Sequence, residues 1–177
     1  SSYGKRIIRM IATENNSIEK LIADFDPASK VWVYQSSRPF TSAEENEISQ
    51  ALQSFTKQWA AHNIQLKATG FIVESRVIVL MVDETHTDAS GCSIDTSVHF
   101  IQGLENEYGV ELFDRMIVHY RDVEGWHTTT LSTLPDLISQ HLISKSTIVI
   151  NPLVATKEEY QHSFVTRIED CWMMQFV

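Results

Sequence analysis

The chain has 177 residues, enough for one domain that buries about 70% of the surface its unfolded form exposes. Its hydrophobic fraction of 43% and charged fraction of 21% are those of an ordinary globular protein, with no low-complexity or fibrous pattern. A net charge of −9 repels phosphate backbones, and no block of lysine and arginine compensates, so nucleic acid is not an expected partner. The longest apolar run, Val77 to Val82, is far too short for a membrane span.

Cys92 and Cys171 lack Cys-x-x-Cys spacing and make neither a disulfide framework nor a zinc knuckle, so reduced thiols in a cytoplasmic protein are expected. The first residue is Ser1, which suggests processing or an expression remnant, with Met10 as a natural start. Residues 1–25 are therefore expected to be an extension and residues 26–177 a single domain.

Val31 to Gln35 predicts a first strand, because β-branched and aromatic side chains suit a pleated, buried surface. Thr41 with Glu44 forms a capping box, and Ile48, Leu52, Phe55 and Trp59 then recur at helical spacing, predicting a helix that runs to His62-Asn63. Leu66 to Val73 and Arg76 to Asp83 predict two strands joined at Glu74-Ser75. Ile94, Val98, Ile101, Leu104 and Tyr108 mark a second helix, capped by Ser93 and ended by Gly109. Met116 to Tyr120 predicts another strand, with Trp126 to Leu131 returning beside it. Beyond Ser132 come a helix at Pro135–Leu142, a short strand at Thr147–Ile150 and an amphipathic last helix carrying Ile168, Cys171, Trp172 and Phe176.

The order β-α-β-β-α-β predicts an α+β fold with a ferredoxin-like split core: an antiparallel sheet, both helices on one face, and everything after Ser132 appended to it. Alternating element directions then sort the polar residues onto two rims. One rim collects Arg38, Arg76 and Arg115, a cluster able to bind a carboxylate or phosphate. The other brings His62 toward Asp83, Glu84, Cys92, Ser93 and Asp95.

On that second rim, Ser90, Gly91, Cys92 and Ser93 at a helix start, with Asp83 and Glu84 before them, form a candidate ligand site. Unpaired N–H groups at a helix N-terminus favour an anion or a thiolate. The leading expectation is a binding or interaction module for an unidentified protein or a small anionic ligand. The alternative is a thiol enzyme with Cys92 as nucleophile, His62 as base and Asp95 or Asp83 as orienter. A metal-dependent hydrolase using Asp83, Glu84, His86 and Asp88 is the third reading, although no metal-binding motif is present and no metal or cofactor is expected. His119 and His127 share no metal if Arg121 pairs with Trp126, since they then point to opposite faces. Oligomeric state has no sequence signal.

Val31-Trp32-Val33-Tyr34-Gln35, Arg38, Phe40-Thr41, Trp59, His62, Ala89 through Ile101, and Leu112-Phe113-Asp114-Arg115-Met116 together resemble a family of small uncharacterised bacterial proteins commonly labelled "ABC transporter ATPase". The resemblance covers most of Val31 to Val177. It implies a label and carries over no catalytic residues. ATPase activity itself has no support, because the glycine-rich phosphate loop with its Lys and hydroxyl is missing, and the lone Gly4-Lys5 is followed by Arg6.

Overall fold

A computed structural model describes Ser2, residues 4–6 and residues 16–177; Met10, the expected natural start, lies outside them. The fold is α+β, 42% helix and 26% antiparallel sheet. Its helices from residue 16 onward are α1 (Asn16–Leu21), α2 (Ser42–Gln58), α3 (Gly91–Tyr108), α4 (Leu134–Ser139) and α5 (Lys157–Ser163). The strands are β1 (Lys30–Gln35), β2 (Ala60–Ala61), β3 (Ile64–Gln65), β4 (Lys67–Val73), β5 (Val77–Asp83), β6 (Ile117–Asp122), β7 (Gly125–Thr130), β8 (Ile148–Ile150) and β9 (Val165–Arg167).

Two main sheets share the molecule. The first has the order β1-β5-β4, with both pairings antiparallel, and the second has the order β7-β6-β8-β9. Central strand β5 is buried at all seven positions because both of its faces are covered, which explains its unbroken apolar run. On one face Ile78, Leu80 and Val82 pack with Ile48, Leu52, Ile101 and Leu104 from α2 and α3. On the other, Val77, Val79 and Met81 meet Ile22, Phe25, Ile150, Tyr160 and Phe164. A Cβ on Gly70 would stand 3.2 Å from Leu52 Cδ2 and 2.9 Å from Leu80, so the glycine lets α2 lie close on the sheet.

Strands β1, β5 and β4 form one antiparallel sheet with α2 and α3 packed against one face, but β6, expected as the fourth strand of a ferredoxin-like core, does not join that sheet. β6 pairs with β7 and β8 instead. The outer edge of β1 is already held at both ends, by Ala155 O accepting from Val31 N–H (3.0 Å) and Glu111 O accepting from Ser37 N–H (3.0 Å). The segment after Ser132, expected as an appendage, supplies β8 and β9 and so half of the second sheet.

Local differences have local causes. Helix α2 stops at Gln58, four residues before His62, because Trp59 turns extended (φ −69°, ψ 124°) to bury its ring. The chain then forms the β2–β3 hairpin across His62 and Asn63, both at positive φ (53° and 64°) as a type I′ turn requires. Helix α3 is capped by Ser90, whose Oγ accepts from Ser93 N–H at 3.1 Å; Ser93, the expected cap, lies inside the first turn. The expected last helix is two 3-10 turns, Ile168–Asp170 and Trp172–Phe176, since Cys171 between them turns extended (φ −139°, ψ 177°) and breaks the helical path. Of the expected extension, residues 18–25 are packed on the domain: Ile18, Ile22 and Phe25 are buried, and the Lys157 ammonium donates to Ile22 O (2.7 Å) and Phe25 O (2.6 Å).

Candidate functional site

Antiparallel pairing brings the end of α2 and the start of α3 to one rim, where the Trp59 indole N–H donates to Ser93 O at 2.8 Å. Cys92 is exposed in the first turn of α3, and His62 is exposed in the β2–β3 turn. Asp95 is exposed one turn further along. Among the described residues, the Cys92 thiol, His62 ring and Asp95 carboxylate make no hydrogen bond or ion pair with one another.

The carboxylates beside them are engaged in holding the loop. Asp83 is buried and accepts from Asp26 N–H (3.0 Å), Thr85 N–H (3.0 Å) and the Thr85 hydroxyl (2.7 Å), with Lys67 Nζ at 3.4 Å. Burial alone would raise its pKa, but these donors outweigh it and hold the carboxylate well below the usual range. Glu84 accepts from Ala89 N–H (2.8 Å) and pairs with Lys30 (3.1 Å). Together they fix the Asp83–Ser90 segment, a structural role that the sequence reading did not assign.

The three arginines go separate ways. Arg38 grips Glu44 with two bonds of 2.9 Å and donates to Tyr108 O at 2.7 Å, tying the start of α2 to the end of α3. That hydrogen bonding holds the Glu44 carboxyl down at about 2. Arg76 donates to the Thr128 hydroxyl (2.5 Å) and Trp126 O (3.0 Å). Arg115 is exposed and has no hydrogen-bond or ion-pair partner among the described residues.

Arg115 lines a pocket of about 550 Å³ along the outer edge of β1. Val31 to Gln35 of β1, Val98 of α3, Leu112 to Arg115 and Pro152 to Val154 line it. Phe113, 40% exposed, stands edge-on to Tyr34 at 5.4 Å, and Leu153 is 57% exposed. Gln35 is buried, donates its Nε2 to Ile117 O (2.9 Å), and leaves Oε1 with no partner among the described residues. An apolar trough of this size with a cation and a few polar groups has the make-up of a ligand site.

No family model, curated protein or solved structure matches the chain. What the pocket can do therefore rests on its own geometry. Sequence reasoning placed Arg115 in a polar cluster and missed the pocket, because the pocket exists only where β6 fails to cover β1.

A second grouping sits at the tip of the β6–β7 hairpin. Asp122, Glu124 and His127 offer ligand atoms within 4.8 Å of one another, a set able to hold a divalent cation. His127 Nε2 lies 2.9 Å from Asp122 Oδ2, and the ring stacks on Tyr120 at 5.0 Å. Arg121 does pair with Trp126, so His119 and His127 point to opposite faces. The buried His119 places Nδ1 2.9 Å from the Thr128 hydroxyl, which also accepts from Arg76. Burial and the nearby Arg76 push its pKa down to about 3. No helix among the described residues is long and apolar enough to cross a membrane.

Proposed function

We propose that this protein is a binding module whose site is the β1-edge pocket, and that its ligand joins an apolar body to a carboxylate or similar anion. The observation that carries this reading is the exposed Arg115 guanidinium, unpaired among the described residues, in a pocket also lined by the exposed Phe113 and Leu153. Apolar walls hold the body, while the planar guanidinium suits bidentate recognition of the anion. The small anionic ligand expected at the Cys92 helix start is better served here, where both an apolar wall and a free cation are present.

A cytoplasmic location fits the two free cysteines. Kinship with the small bacterial proteins carrying the ATPase label belongs to the same proposal, without that label's activity. Calorimetric titration with 3-phenylpropionate tests the reading. Binding weakened about tenfold or more by Arg115→Gln supports it, since a charge-assisted bond contributes about 1.5–3 kcal/mol. Equal affinity in both proteins, or no binding of aryl and alkyl carboxylates at millimolar concentration, contradicts it.

A further inference from the structure

The outer edge of β1 carries backbone groups with no partner among the described residues. Along this strand, alternate residues aim their N–H and C=O groups toward β5 and away from it. Ser36 donates inward to Arg76 O (2.8 Å), whereas Val31 and Ser37 donate outward, and Ser29 O accepts from Lys157 N–H on the outer side (2.9 Å). By the same alternation the N–H and C=O of Val33 and the N–H of Gln35 point away from the sheet. Among the described residues no protein group pairs with them, and both residues line the pocket.

The slot is short. From Val31 to Ser37 the strand covers about 20 Å, and both ends are filled by the Ala155 and Glu111 segments, leaving room for about four extended residues. A strand from a second copy of this chain would run into those segments. A chain end does not have to pass through them. Exposed Phe113 and Leu153 give the slot apolar lining, and Arg115, unpaired among the described residues, gives it a cation.

Resting on the reading of this pocket as the ligand site, we propose that its occupant is the C-terminal end of an extended peptide, added to the edge of β1. Its backbone pairs with Val33, its apolar side chains lie against Phe113 and Leu153, and its terminal carboxylate meets Arg115. Main-chain bonds to a sheet edge give such a complex its affinity, and the flanking pockets give selectivity.

The test uses random hexapeptides with apolar last positions, labelled at the N-terminus and read by fluorescence anisotropy, in a free-carboxylate set and a C-terminally amidated set. The expected result is binding by members of the free-carboxylate set, lost at least tenfold on amidation and in Arg115→Gln. Val33→Pro removes the outward N–H without touching a β1–β5 bond, so it should weaken binding at least fivefold while thermal unfolding stays near that of the wild type. Val33→Thr, which keeps the N–H, should bind like the wild type and guards against misfolding of the proline variant. If 3-phenylpropionate binds in an Arg115-dependent way but no peptide does, the peptide inference falls and the pocket reading stands. Absence of both overturns both, and binding indifferent to amidation removes the terminal carboxylate from the inference.

Discussion

Trp59 donates its indole N–H to the carbonyl of Ser93 at 2.8 Å, fastening the end of α2 to the first turn of α3. The ring is buried and contacts Trp32 and Phe55, with centroids at 6.0 Å and 5.2 Å. Trp59→Phe keeps an aromatic body there but leaves the Ser93 carbonyl without its donor. A loss of about 1–3 kcal/mol in urea unfolding is expected. An unchanged midpoint would mean that the fastening contributes nothing.

Asp83→Asn keeps the size of the side chain and removes the charge that Lys67 and the loop N–H groups hold. The expected cost at pH 7 is about 1–3 kcal/mol. The folded-state pKa of Asp83 is lowered, so its contribution is present above the unfolded value near 4 and is lost as pH falls below it. Urea unfolding at pH 7 and pH 3 should therefore show the gap between variant and wild type narrowing in acid. A gap that widens there contradicts the pairing.

His119 acts in a higher window. Its folded pKa of about 3 lies below the ordinary 6.5, so between those values the unfolded chain takes up a proton that the folded one refuses. Stability should fall as pH drops through 6.5 toward 3, with a slope approaching about 1.4 kcal/mol per pH unit from this residue. His119→Phe should flatten the part of the profile between pH 6 and 5, where carboxylates scarcely titrate. An identical slope in variant and wild type would place the origin elsewhere.

The two thiols should separate cleanly under iodoacetamide. Cys92 is exposed in the first turn of α3, while burial pushes the Cys171 thiol up and its Sγ faces Ile168 O at 3.7 Å. Mass spectrometry of native protein at pH 8 should find the label on Cys92 well before Cys171. Equal labelling, or Cys171 first, would contradict the packing of the C-terminal turns. A rate at Cys92 no faster than that of a free peptide thiol would also argue against the thiol-enzyme alternative.

The first sheet was legible because its signals are local. The capping box at Thr41 and Glu44, the apolar run of β5 and the left-handed Gly109 (φ 62°) each declare themselves within a few residues. The second sheet was not legible as a sheet, since β6, β8 and β9 are joined by long-range pairing that no short window contains. The β2–β3 hairpin was hidden for another reason. His62 and Asn63 occupy turn positions that a glycine usually announces, and only the burial of Trp59 ends the preceding helix.

The candidate site divides in the same way. The meeting of the end of α2 with the start of α3, seen in the Trp59–Ser93 hydrogen bond, follows from chain direction. The pocket at Arg115 depends on which strand does not pair with β1, and pairing of this kind is decided by the whole chain.

The most direct measurement is a two-dimensional amide NMR spectrum of the labelled protein during titration with 3-phenylpropionate. The pocket reading predicts saturable shifts at the amides of Val33, Gln35 and Phe113 and at the Arg115 side chain, with the Gly91 and Cys92 amides left in place. Shifts centred on Ser90 to Ser93 with β1 silent would contradict it and return the ligand to the start of α3.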